Sequence, residues 1–148
     1  MISLIKSLRF GRALCILVAL TGLARAQAVQ TIHLTVDYND GVKKEFVLPY
    51  KAGMTVFDAM TAAKANPHGL TFDCDPKFPC NGPPANRFLS IIDDVKNQGA
   101  GASAKNWLFW VNNVFSDKGF GVCGISPKDE VLWKFDVFHG QQPGHACR

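Results

Sequence analysis

Half of the chain's sixteen aromatic residues lie within residues 106–138, in two strand-like patterns joined by a polar segment. Because side chains alternate along a strand, Trp107 and Phe109 point to one face and Trp110 to the other. The second pattern, residues 131–138, divides in the same way. The stretch therefore indicates a sheet packed on a core, a sheet that presents rings to a ligand, or both.

The segment before this stretch predicts a β-hairpin followed by one helix. Residues 31–38 alternate apolar and polar side chains, an Asp-Gly turn follows, and residues 42–48 continue as a second strand. Residues 56–65 carry a helical apolar stripe, with Thr55 placed to cap the helix and Asp58 three residues later. We expect this to be the only helix of the mature chain.

Shorter strands are expected at residues 69–73 and 88–95, with irregular loops at residues 74–86 and 97–105. The order β-β-α followed by further strands predicts an α+β domain, a mixed sheet with one helix across it. The domain is expected to span residues 27–138, followed by a tail at residues 139–148.

Residues 1–26 have the layout of a secretory signal peptide, with cleavage expected after Ala26. A basic leader precedes an apolar run that is too short to span a membrane. Four of the 16 Lys and Arg residues lie in this leader and all 12 acidic residues follow it, so the mature chain carries no formal net charge. We therefore expect a secreted monomer without membrane insertion, and nucleic acid is excluded as a partner class.

Four cysteines remain after the leader, an even number that predicts two disulfides in an exported chain. We favour Cys74 with Cys80, which closes a short loop, and Cys123 with Cys147, which ties down the tail. The two crossed pairings stay open at the level of sequence.

Four segments of the chain resemble the DUF4430 family, which is similar to the C-terminal β-grasp domain of transcobalamin and intrinsic factor. They are residues 53–60 (GMTVFDAM), 90–95 (SIIDDV), 106–112 (NWLFWVN) and 126–135 (SPKDEVLWKF). The resemblance implies a ubiquitin-like β-grasp fold. In the cobalamin carriers this domain closes over one face of a corrinoid, so the resemblance also implies a corrinoid such as cobalamin as a candidate ligand.

Six residues are the candidate ligand-binding set. On the sheet, Trp110 and Phe138 fall on the face away from the helix, unless the loop at residues 97–105 or the tail covers them. On the hairpin that faces the ligand in the cobalamin carriers, the matching residues are Asn112, Asn113, Phe115 and Phe120. The alternative is that the two asparagines only form a turn and that Phe115 folds onto the sheet.

The sequence offers no catalytic constellation and no cofactor motif. Adjacent residues on a strand point to opposite faces, so Asp93 and Asp94 are expected at a solvated strand end. The four histidines lack zinc spacing, and His139 and His145 are more typical of a disordered end than of a metal site. We expect a secreted, non-enzymatic domain that binds a small molecule. The alternative is a module that binds an extracellular protein, such as an adhesion, inhibitor or effector domain.

Overall fold

The computed structural model of the protein describes residues 28–148, so the predicted signal peptide lies outside the described residues. Over this range the fold is α+β, as predicted, with one α-helix. The elements are β1 (Thr31–Asp37), β2 (Lys43–Pro49), α1 (Val56–Lys64), β3 (Phe72–Cys74), β4 (Leu89–Ile92), β5 (Val95–Lys96), β6 (Lys105–Val111), β7 (Val114–Phe115) and β8 (Glu130–Val137). No helix within this range is long and apolar enough to cross a membrane.

The strands form two sheets. The larger one has the order β2-β1-β8-β6-β7, and its central pair, β1 with β8, is parallel while its other pairs are antiparallel. The smaller one, β3-β4-β5, is antiparallel. A tryptophan joins the two sheets, because Trp107 of β6 donates its indole Nε1–H to the carbonyl of Val95 at 2.9 Å.

Helix α1 begins as the sequence predicts. Thr55 and Asp58 form a capping box, in which each side chain accepts from the other residue's backbone N–H. The next two amides, of Val56 and Phe57, donate to carbonyls of the segment after β7, at 2.9 and 3.0 Å. The helix start therefore fixes the path of that distant segment.

The core lies between the helix, the smaller sheet and the inner face of the larger sheet. The rings expected there are buried: Trp107 and Phe109 of β6, and Trp133 and Phe135 of β8. Phe109 and Trp133 stand opposite each other with ring centroids 4.8 Å apart. Aromatic pairs at this distance add to the stabilisation that their buried area provides.

The single strand expected at residues 88–95 is instead a hairpin, β4 and β5, with Asp93 and Asp94 in its turn. The prediction of a solvated strand end is therefore wrong for Asp93, which adopts a positive φ of 49°. A short polar residue tolerates this left-handed conformation better than the apolar residues around it.

Asp93 connects three separate segments. Its carboxylate accepts hydrogen bonds from the Tyr38 hydroxyl, from Lys44 Nζ at 3.0 Å and from the Thr71 amide at 2.8 Å. Burial by itself raises the pKa of Asp93, but these hydrogen bonds and the Lys44 charge hold it below its ordinary value. Burial and the Asp93 contact raise the pKa of Tyr38.

We expect Asp93→Asn to lower the free energy of unfolding at pH 7 by about 1–3 kcal/mol, because charged hydrogen bonds are lost. Since the pKa of Asp93 is lower in the folded chain, its stabilisation is full above the unfolded-state pKa of about 4 and is lost as pH falls through the folded value. Urea denaturation at several pH values should thus show that the free energy of unfolding falls less between pH 7 and pH 2 for the variant than for the wild type.

The matched control is Asp94→Asn, in the same turn, which should follow the wild-type acid profile. Parallel acid profiles for the wild type and Asp93→Asn would contradict this role of Asp93.

The disulfides join Cys74 to Cys80 and Cys123 to Cys147, the pairing favoured from the sequence. The expectation of a disordered C-terminal end is wrong. The tail runs beside β7, where the Gly144 amide donates to the Phe115 carbonyl at 3.0 Å. Further along, the Arg148 amide donates to the Gly124 carbonyl at 3.1 Å. These bonds and the buried Cys147 hold the end of the chain in place.

Candidate functional site

The outer face of the larger sheet, opposite the helix, has an apolar end. Leu132 of β8, Trp110 of β6 and Phe115 of β7 stand side by side in one row across the strands. On β6 and β8 the residues before and after Trp110 and Leu132 are buried in the core. The alternation seen in the sequence thus leaves large apolar side chains on the face that the helix does not cover.

Three aromatic rings form a cluster on this face, which we call the aromatic patch: Trp110, Phe115 and Phe138. Ring centroids are 5.4 Å apart for Trp110 and Phe115, and 5.9 Å apart for Phe115 and Phe138. Trp110 and Phe115 are half-buried, whereas Phe138 is 53% exposed. The structure therefore brings together three of the six predicted binding residues.

A tight turn positions Phe115 beside Trp110. Asn112 and Asn113 connect β6 to β7 with positive φ angles of 51° and 65°, as a two-residue hairpin of type I′ requires. The Asn112 side chain is fully engaged, because it donates to the Asp129 carboxylate and accepts from the Glu130 amide, each at 2.9 Å. The turn alternative is thus correct for Asn112.

Asn113 is exposed and has a different environment. It lines a shallow groove on the polar part of the same outer face, with His33, Glu45 and Val47 among its neighbours. Its amide is therefore the one of the pair that a molecule lying on this face can reach.

The two asparagines should respond differently to glycine, which favours positive φ. Asn112→Gly should lower the free energy of unfolding by about 1–2 kcal/mol, because two hydrogen bonds are lost. Asn113→Gly should leave it within about 0.5 kcal/mol of wild type, since only the backbone conformation is required there. Urea denaturation of both variants measures the difference, and equal losses would contradict it.

The C-terminal tail shapes one side of the aromatic patch. Phe138 directly follows β8 and packs on Phe115, while further along the tail Gly144 pairs with Ser116 in the parallel sense. The His145 Nδ1 also lies 3.2 Å from the Asp117 carboxylate. The tail therefore contributes a ring to the patch and leaves that ring largely exposed.

Phe120 is a correction to the predicted set. It is only 3% exposed and packs against Phe57 and Trp133, with ring centroids 5.7 Å apart in both pairs. The segment after β7 turns inward across the start of the helix, so Phe120 belongs to the core and does not line the outer face of the sheet.

Two ion pairs lie on the polar part of the outer face. Lys43 bonds Asp37 at 3.1 Å, and Lys134 bonds Asp136 at 2.7 Å. The hydrogen bond from Lys134 holds the pKa of Asp136 below its ordinary value, against a smaller opposing effect of burial. Part of the charge on the outer face is thus neutralised within the chain.

The arrangement supports binding by apolar contact. Within residues 28–148 no cluster of histidine, cysteine, aspartate and glutamate side chains could hold a metal ion. The four cysteines of this range are all in disulfides. What the outer face presents is an aromatic surface with an accessible amide at Asn113.

Comparison with known families gives one match. The model of a family described as a domain of unknown function, DUF4430, matches residues 53–137, more than half of the chain. The match includes Trp110 and Phe115 and ends one residue before Phe138. No curated protein matches the chain.

Proposed function

The chain belongs to the DUF4430 family, and from that premise we propose that it is a secreted, non-enzymatic domain that binds a small, flat or amphipathic molecule on the aromatic patch. The observation that carries the proposal is the contact of Trp110, Phe115 and Phe138 on the outer face of the sheet. Exposed apolar surface of this kind marks interaction sites in soluble domains.

Binding would be driven by burial of apolar surface against the three rings, at about 25 cal/mol per Å² removed from water. A flat ligand can stack on these rings. Because the three side chains are already packed together, they lose little conformational freedom on binding. The Asn113 amide supplies a hydrogen bond that fixes orientation. A corrinoid is the named example of such a ligand, through the resemblance to the cobalamin carriers.

We also propose that the larger sheet and helix form a β-grasp. Support comes from the parallel pairing of β1 with β8 at the centre of the sheet, with β2 and β6 outside them. Helix α1 packs on the inner face of this sheet, and its buried residues are Val56, Ala59, Met60 and Ala63.

Export is the third part of the proposal. The leader pattern of residues 1–26 supports it, and so do the two disulfides, because such bonds persist in oxidising compartments.

The alternative, a module that binds a protein by adding a strand to a sheet edge, has less support. One edge strand of the larger sheet, β2, carries Lys43, Lys44 and Glu45 and ends at Pro49. The other edge strand, β7, is already bonded to the C-terminal tail through the Phe115 carbonyl. Charged residues and proline on an edge strand oppose pairing with another chain.

Calorimetric titration of the purified protein with cyanocobalamin, hemin and cellohexaose tests the proposed function. We expect saturable binding of a flat macrocycle, cyanocobalamin first, and no binding of the glycan. Failure of all three probes to bind would overturn the small-molecule proposal in favour of a protein partner, and binding of cellohexaose alone would overturn the choice of a flat ligand.

A further inference from the structure

The outer face of the larger sheet carries a polar groove next to the aromatic patch. The row that contains Trp110 and Leu132 continues across the sheet to Thr35 of β1 and Glu45 of β2. Leu132, Thr35 and Glu45 line the groove, whereas Trp110 belongs to the patch. Because neighbouring strands lie about 4.8 Å apart, about 15 Å of sheet separates this ring from the Glu45 carboxylate. The groove and the patch therefore form one continuous surface.

Glu130 is the groove carboxylate nearest to the rings. It lies two residues before Leu132 on β8, so it shares the outer face and is a diagonal neighbour of Trp110. Diagonal neighbours on a sheet are about 7–8 Å apart. The Glu130 amide donates to the Asn112 side chain at 2.9 Å, while the residue itself is exposed. A molecule whose ring lies on Trp110 can therefore bring a second group to the Glu130 carboxylate.

The groove carries negative charge that the chain does not neutralise. Its lysine, Lys43, is bonded to Asp37 at 3.1 Å. Glu45 and Glu130 take part in none of the ion pairs formed within residues 28–148, and His33, on the strand between them, pairs with neither. The lysine that follows on β8 is likewise bonded to an aspartate. The two glutamates therefore leave this part of the face negative, which complements a positively charged ligand.

We propose that the ligand of the aromatic patch is a cation, whose ring stacks on Trp110 while an ammonium or guanidinium group pairs with Glu130. Glu45, further along the groove, adds attraction at longer range. An anionic molecule with the same ring is repelled by both glutamates. This proposal rests on the proposed function, because it takes the patch as the binding surface, and it adds the charge and shape of the ligand: a flat ring with a short cationic arm.

Calorimetric titration with three probes that share a naphthalene ring tests the charge of the ligand: naphthylethylamine, naphthylethanol and naphthylpropionate. Binding on the patch is read in parallel from the Trp110 indole signal in a ¹H–¹⁵N correlation spectrum. At neutral pH and low salt the amine should bind about three- to fivefold more tightly than the alcohol, the upper range for an exposed ion pair. The carboxylate should bind more weakly than the alcohol. Raising the salt concentration should reduce the preference for the amine, since exposed charges are screened.

Glu130→Gln removes the charge and keeps the size of the side chain, so it should bring the affinity for the amine close to the affinity for the alcohol. Asp94→Asn is the matched control, because it removes one exposed carboxylate in the turn between β4 and β5, outside the larger sheet. This variant should keep the full preference for the amine.

Equal binding of the amine and the alcohol by the wild-type protein would overturn the cationic ligand and leave the proposed function intact. An amine preference that Glu130→Gln leaves unchanged would also overturn it. Failure of all three probes to move the Trp110 signal would overturn it as well, and the proposed function falls too only when cyanocobalamin also fails to bind.

Discussion

Replacing Cys123 and Cys147 together with serine should lower the free energy of unfolding by about 3–4 kcal/mol and free the C-terminal tail from β7. The bond spans a sequence separation of 24 and anchors the end of the chain. Without it, the tail is held to the strand region mainly by the Gly144 and Arg148 backbone bonds and by the exposed contact of His145 with Asp117. Exposed polar contacts of this kind contribute little stability. Urea denaturation measures the loss.

Serine replacement of Cys74 and Cys80 is the matched control. Their separation is only 6, so the smaller loop should cost about 2 kcal/mol and should leave the tail protected. Amide hydrogen exchange at Gly144 distinguishes the two variants, since only loss of the Cys123–Cys147 bond should speed it. A larger loss of unfolding free energy in the Cys74–Cys80 variant would contradict the expected order of the two disulfides. Unchanged exchange at Gly144 in the Cys123–Cys147 variant would show that this disulfide does not hold the tail.

Removing the central ring of the aromatic patch should have the largest effect on binding. Phe115 contacts both Trp110 and Phe138, so Phe115→Ala takes away one ligand contact and the support of two others. We expect it to weaken cyanocobalamin binding by about ten- to a hundredfold, the range of truncating a ring at the centre of an interface. Calorimetry of both proteins measures the change.

Phe78→Ala controls for the loss of an exposed ring. Phe78 is 48% exposed, lies on the loop closed by Cys74 and Cys80, and takes part in neither ring pair of the patch. This variant should bind cyanocobalamin as the wild type does. Equal weakening by the two substitutions would mean that binding does not depend on the patch.

The parts of the fold that local chemistry determines could be predicted from the sequence. Strand alternation located β1 and β8 to within one residue, and the Thr55 capping box located the start of α1. The same alternation separated the buried rings of β6 from Trp110. These signals depend on neighbours in the chain, and tertiary contacts do not override them here.

The errors concern residues whose surroundings come from distant segments. The local sequence around a phenylalanine on a glycine-containing loop is the same whether the loop stays outside or turns inward. The burial of Phe120 therefore could not be predicted from its neighbours in the chain. The structure shows how close the loop comes to the core at Gly121, where a β-carbon would collide with the Pro84 carbonyl. The partners of Asp93 lie 22 to 55 residues away, beyond any local pattern.

The most direct test of the central claim is the indole region of the ¹H–¹⁵N correlation spectrum during titration with cyanocobalamin. The patch contains Trp110 alone among the three tryptophans, while Trp107 is bonded inside the core. We expect a saturable shift of the Trp110 signal and an unchanged Trp107 signal. A Trp110 signal that stays fixed while calorimetry reports binding would contradict the aromatic patch as the binding surface.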